Sequence, residues 1–300
     1  MKVFVTGASG YIGHAVALAI RRAGHEVWGL VRAAERVAEL ARDEVHAVVG
    51  RMEEPDSYAP TAGECNALVH TAQDHGDNSV ALDKKTIEAL VSLGRKGPQP
   101  KSFIYTSGVW VYGDTGGRLV DETTPPKPAQ RVIWRPEHEQ MVLRAEGMRT
   151  VVVRPGCVYG RRGGLPGSWF AGALADRPLR VVGDGNNRWA MVHVDDLATG
   201  YVCVLESAYT REIFNFTDRS RATIREMTQA AVRAAGYGGA IEFVPVSEAS
   251  KTLGSYAECL ALDQHVDSRK AVRLLGWQPA HGGFVDEVET YFAAWKAQRM

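Results

Sequence analysis

Apolar and polar positions along the first half of the chain fall into blocks that read alternately as strand and helix. Residues 2–5 form a short apolar run suited to a strand covered on both faces, and residues 12–23 carry a helical pattern with small side chains at Ala15, Ala17 and Ala19. The same reading predicts strands over residues 26–31, 45–49, 67–71, 102–106 and 150–153, and helices over 34–42, 82–93 and 137–145. Apolar strands separated by helices predict an α/β fold: a Rossmann-type, doubly wound parallel sheet with helices on both faces. Residues 1–160 are assigned to that core, with later segments returning to it. Residues 161–300 mix sheet-like and helical pieces, and read as mainly a smaller C-terminal substrate-binding lobe. Residues 121–130, rich in Pro and Thr, and 161–168, rich in Gly, read as loops, the second as a lid.

The turn between the first strand and first helix carries Gly7, Gly10 and Gly13. A dinucleotide site needs that spacing: one glycine for the tight turn, one for backbone approach to the pyrophosphate, one for close helix–strand packing. The helix start adds unpaired N–H groups and the positive end of its dipole. Composition narrows the class further. Lys+Arg and Asp+Glu both total 35 in 300 residues, so the chain lacks the basic footprint of a nucleic-acid partner or of an anionic membrane surface. No apolar run approaches the ~20 residues that span a bilayer, and the first strand begins at once, leaving no room for a signal peptide. Cys65, Cys157, Cys203 and Cys259 have no metal-ligand spacing and read as reduced thiols of a cytoplasmic protein, with no metal expected.

Several further segments carry a resemblance. They are Thr6 to Gly13, Val69-His70-Thr71-Ala72, Tyr105-Thr106-Ser107 with Val111-Tyr112-Gly113, Arg154 to Gly160, Val192 to Ala198, and Leu275-Gly276-Trp277-Gln278-Pro279. In this order they resemble the extended short-chain dehydrogenases/reductases, the NAD-dependent epimerase/dehydratase-like family. The resemblance implies a nicotinamide cofactor held by Gly7, Gly10, Tyr11, Ile12 and Gly13, by Thr71, Ala72 and Gln73, and by Pro155 and Val158. It also implies a homodimer through the helices near residues 82–93 and 137–145. NAD-preferring members end the second strand on an acid that binds the ribose hydroxyls. Here Arg32 ends it and Arg36 follows one turn later, which favours NADP(H), with NAD(H) still possible, because a guanidinium pairs with a 2′-phosphate. Arg51 and Met52 replace the acidic pattern usual after the third strand, near the adenine.

At the catalytic positions the pattern breaks. The family's hydroxyl, tyrosine and lysine fall on Gly108, Arg131 and Arg135. Arg135 can still hold the ribose or polarise a substrate oxygen, but its guanidinium stays charged and cannot carry the proton. Thr106, Tyr112 and His138 are the candidates to supply what is missing, with Glu137 an alternative to His138 and a loop-anchoring role open for Tyr112. Ser107 is expected to face away from the site by strand alternation, unless the strand ends there. His193 with Asp195 and Asp196 reads as a dyad, a metal site or, more plainly, an Asp cap on the following helix. His70 reads as a core histidine, and residues 73–77 as a solvated loop, with polar side chains facing the substrate as the alternative.

Cys157 stands where members acting on sugar nucleotides carry Asn, and Trp110, Trp134 and Trp169 read either as walls of the substrate space or as packing residues. Together these features suggest an NAD(P)-dependent oxidoreductase or epimerase/dehydratase acting on a small aromatic or apolar carbonyl or hydroxyl compound. A non-catalytic NADP(H)-binding sensor or scaffold and a nucleotide-sugar epimerase are the alternatives.

Overall fold

Strands β1 (Lys2–Thr6), β2 (Glu26–Val31), β3 (His46–Val49), β4 (Ala67–His70), β5 (Lys101–Thr106), β7 (Met148–Pro155) and β12 (Glu212–Phe216) pair in parallel, in the order β12-β7-β5-β4-β1-β2-β3. The structure is a computed structural model that describes residues 1–95, 100–175 and 178–299. The sheet separates two cores by simple alternation. Val3 and Val5 face one side with Ile104, Val153 and Leu197, while Phe4 faces the other with Leu68, Phe103 and Val152. Strand order reverses between β1 and β4, and the crevice beyond their carboxyl ends is where ligands of such sheets sit.

The helices that follow these strands are α1 (Tyr11–Arg22), α2 (Val37–Arg42), α3 (Ala59–Glu64), α4 (Ser79–Ser92) and α5 (Arg135–Leu143). Residues 34–36 form a separate 3-10 turn ahead of α2. Helix α5 starts two residues earlier than its apolar pattern predicts, because Pro136 in the first turn has no N–H that needs a partner there. Short strand β6 (Leu119–Val120) lies between β5 and α5.

Beyond β7 the chain builds a second lobe from β8 (Cys157–Gly160), β9 (Gly163–Gly164), α6 (Gly167–Leu174), β10 (Leu179–Val182) and β11 (Met191–His193). Helix α7 (Val194–Glu206) and β12 then return to the central sheet, α7 packing on α1. The remaining elements are α8 (Ile224–Ala234), β13 (Ile241–Val244), α9 (Val246–Leu253), α10 (Tyr256–Leu260), β14 (His265–Val266), α11 (Arg269–Leu275) and α12 (Val288–Ala297). An aromatic core of Tyr159, Trp169, Phe170, Trp189, Phe284 and Trp295 holds the second lobe together. The 161–168 segment is no free lid: β9 pairs antiparallel with β8, and Tyr11 donates to the Gly160 carbonyl at 2.8 Å. No helix among the described residues is long and apolar enough to cross a membrane.

Candidate active site

The glycine turn is built so tightly that side chains are excluded. Gly7 has φ +73°, and its carbonyl accepts the Gly10 N–H at 2.8 Å. A Cβ on Gly13 would lie 2.2 Å from the Gly7 oxygen and 2.4 Å from Thr71 Oγ1, while one on Gly7 would lie 2.8 Å from Ala72 Cα. The α1 N-terminus has no side-chain cap and no acid in its first turn, so its N–H groups remain for an anion. A dinucleotide diphosphate fits this donor set.

From that turn a cavity of about 1210 Å³ runs between the lobes. Gly7, Gly10, Tyr11, Ile12 and Gly13 line it together with Thr71, Ala72, Gln73, Pro155 and Val158. Arg32, Arg36 and Met52 line the end beside β2. Arg51 does not reach the wall; its exposed backbone N–H binds Ser57 Oγ. Glu39 accepts from Arg36 at 2.6 Å and approaches Arg162 at 3.5 Å, and this pairing, with burial opposing it, holds the Glu39 carboxyl below the ordinary range. That carboxylate ties the β8–β9 hairpin to the arginine end of the cavity. Residues 73–77 also form part of the cavity wall. A smaller groove of about 560 Å³ at the amino ends of β2 and β3 is lined by Arg21, His25, Glu26, Glu44 and His46, which are already engaged in ion pairs.

At the other end sit Arg135, Trp110 and Trp134. Arg135 is buried, donates to the Thr106 carbonyl at 3.2 Å and to Gln73 Oε1 at 3.0 Å, and stacks 4.8 Å above the Trp134 ring. It has no carboxylate partner among the described residues.

The other sequence candidates for the chemistry lie behind the wall, and their partners explain why. Thr106 Oγ1 is bonded to the Tyr201 hydroxyl at 2.6 Å. His138 Nδ1 bonds Asp83 at 2.7 Å, and the same carboxylate accepts from His70 and Tyr105. Burial opposes the Asp83 charge, but the hydrogen bonds from His138 and His70 outweigh it and hold the carboxyl well below the usual range. His70 is thus a satisfied core residue. Tyr112 donates to Asn215 Oδ1 at 3.0 Å and accepts from Arg154 at 2.7 Å, in a buried group completed by Glu139. These bonds anchor it, and it does not line the cavity. Trp169 stacks on Trp189 in the second-lobe core, 5.3 Å between centroids, and contributes nothing to the cavity wall.

His193 corrects another expectation. Its own ring caps α7, Nδ1 accepting the Asp195 N–H at 3.2 Å, while Asp196 receives the N–H groups of Ala280 and His281. Asp195 pairs with Arg161 at 2.6 Å, and the His193 and His281 rings stack at 3.6 Å. The trio His193, Asp195 and His281 brings its ligand atoms within 4.8 Å of one another, and each member also makes contacts that hold the fold.

Two more residues join the wall, one with its orientation left open by the sequence and one that the sequence reading missed. Strand β5 ends at Thr106, which frees Ser107 from strand alternation; its Oγ is buried in the wall with no partner. Tyr256 comes from α10, more than a hundred residues beyond the family's catalytic segment, and no local signal marks it.

A parallel sheet reading β3-β2-β1-β4-β5, with a glycine turn and arginines at its switch point, defines a dinucleotide-binding α/β protein. Residues 3–216 match the model of the NAD dependent epimerase/dehydratase family, and the chain belongs to it. An uncharacterized Schizosaccharomyces pombe protein is 27% identical, the match covering 97% of this chain and 100% of the relative. A 4-hydroxy-2-methyl-3-oxo-4-farnesyl-3,4-dihydroquinoline-1-oxide ketoreductase of Stigmatella aurantiaca is 23% identical over 83% of this chain and 78% of its own. The crystal structure of human epimerase family protein SDR39U1 with NADPH superposes with a TM-score of 0.81 at 23% identity, covering 98% and 99% of the two chains.

Proposed function

We propose that the protein is an NADP(H)-dependent reductase of small aromatic or apolar carbonyl compounds. One observation carries this reading: a single cavity joins the glycine turn, Arg32 and Arg36 at one end to Arg135, Trp110 and Trp134 at the other. The exposed guanidinium groups of Arg32 and Arg36 suit a 2′-phosphate, which NAD(H) lacks. When bound in its reduced form, such a cofactor supplies a hydride to a carbonyl carbon. The chain's own part is positioning and charge. Arg135, a buried cation with only neutral acceptors, has N–H groups left to hold a ribose hydroxyl or the substrate oxygen as negative charge grows there. Ser107 Oγ is a second free donor on the same wall. Aromatic surface at Trp110 and Trp134 favours a flat apolar substrate over a sugar nucleotide, and Cys157 offers no amide to a diphosphate. Burial pushes the Cys157 thiol up to about 12, so it stays neutral.

A non-catalytic sensor is the second reading, favoured by the occurrence of Gly108, Arg131 and Arg135 at the family's catalytic positions. NADPH oxidation followed across a panel of aromatic ketones, aldehydes and quinones separates the two. Turnover supports the reductase. Saturable NADPH binding with no turnover across the panel supports the sensor.

A further inference from the structure

The replaced catalytic segment leaves an arginine, Arg131, where the family resemblance places a tyrosine, and the opposite lobe brings a tyrosine to that arginine. Tyr256, the first residue of α10, is half-buried in the cavity wall, with its ring 5.2 Å beneath the Arg131 guanidinium and 6.0 Å, edge-on, from Trp110. Its hydroxyl makes no hydrogen bond to any described residue. The other phenol of the cavity wall, Tyr11, differs in this respect, since its hydroxyl donates to the Gly160 carbonyl. Arg131 for its part is exposed and has no ion pair among the described residues, so the aromatic face is its one recorded partner.

We propose that Tyr256 is the proton donor of this site and that Arg131 stabilises the phenolate left behind. The phenol–cation pair of the family is then rebuilt with its members exchanged, the cation from the segment before α5 and the phenol from α10. This rests on the reductase reading above. A hydride from the reduced nicotinamide cofactor, which is oxidised, bonds to the carbonyl carbon. The C=O π pair moves to oxygen, and that oxygen takes the proton from Tyr256 Oη. Tyr256 remains as phenolate beside Arg131 and regains its proton from water entering the open cavity. Burial, with Cys157 and Cys259 adding to it, pushes the phenol up to about 12, and Arg131 pulls the other way. The proton is therefore in place at neutral pH, as a donor for reduction requires.

The test compares wild type, Tyr256→Phe and Arg131→Gln with phenanthrenequinone as the probe. Calorimetry gives the NADPH Kd, and stopped assays give kcat. Tyr256→Phe is expected to lower kcat by about 100-fold or more while the NADPH Kd changes less than about twofold, and Arg131→Gln to lower kcat by about tenfold. A Tyr256→Phe variant with wild-type kcat and Kd overturns the proposal and leaves the reductase reading standing. Failure of wild type to bind NADPH overturns the reading itself. A measurement free of turnover decides the pairing: a polyfluorinated tyrosine at position 256, followed by 19F NMR without cofactor, must ionise at higher pH after Arg131→Gln. An unchanged titration contradicts the assigned role of Arg131, whatever the kinetics.

Discussion

Replacing Tyr112 with Phe separates two roles that its sequence position leaves open. The substitution keeps the ring, and with it the packing and the Arg154 guanidinium 4.9 Å from the ring centre, and removes only the hydroxyl. Two buried groups then lose a partner: Asn215 Oδ1, which accepts the hydroxyl proton, and Arg154 Nη1, which donates to its oxygen. Arg154 keeps its second contact, to Glu139, so its charge stays compensated. A buried acceptor left unsatisfied costs about 1–3 kcal/mol and a hydrogen bond to a charged group contributes about 1.5–3 kcal/mol. Because the surviving ion pair relaxes part of this, a net loss of about 2–4 kcal/mol is expected. For a chain of 300 residues that corresponds to roughly 3–6 °C in Tm. Differential scanning calorimetry should record that drop, while kcat for NADPH-dependent reduction stays within about threefold of wild type. An unchanged Tm with kcat reduced by about 100-fold would refute the reasoning and make Tyr112 the proton carrier.

Gly13→Ala puts a methyl group 2.2 Å from the Gly7 carbonyl oxygen, so the turn must open; NADPH affinity should fall by about 100-fold, and retained affinity in calorimetry would remove the turn from the cofactor site. Arg32→Asp should shift the ratio of NADPH to NADH affinity toward NADH by about tenfold or more, and an unchanged ratio would mean that Arg32 does not meet the 2′-phosphate. Burial, with His281 adding to it, lowers the His193 pKa from 6.5 to about 4. The unfolded chain therefore binds the extra proton across that window, and stability should rise with pH from about 4 to 6.5, by on the order of 3 kcal/mol. Urea titrations of His193→Asn, which keeps an acceptor for the Asp195 N–H, should show that dependence flattened; the same slope in the variant would assign it to other groups.

The Rossmann core was legible because burial on both faces leaves a plain trace: short apolar strands at even spacing, with β2 falling on the predicted residues 26–31. The glycine turn was legible because no other residue type fits it. What failed was direction. Trp169 and Trp110 are equally apolar in sequence, yet one lies in the second-lobe core and the other in the cavity wall, a choice made by how the lobes pack. Tyr112, Thr106 and His138 carried the right chemical groups, but their partners Arg154, Tyr201 and Asp83 lie 42, 95 and 55 residues away, so nothing local announced that those groups were taken. The side Ser107 faces turned on where the strand ends: alternation holds only while the strand lasts, and β5 ends one residue earlier. Tyr256 could not be found along the chain at all: its value comes from the approach of α10 to the segment before α5.

The central claim is that the cavity takes a dinucleotide by its 2′-phosphate. Parallel calorimetric titrations of the purified protein with NADPH and NADH, in a phosphate-free buffer of fixed ionic strength, test it most directly. One site per chain is expected, with NADPH bound at least about tenfold more tightly than NADH. Equal or tighter binding of NADH, or no binding of either, would contradict it.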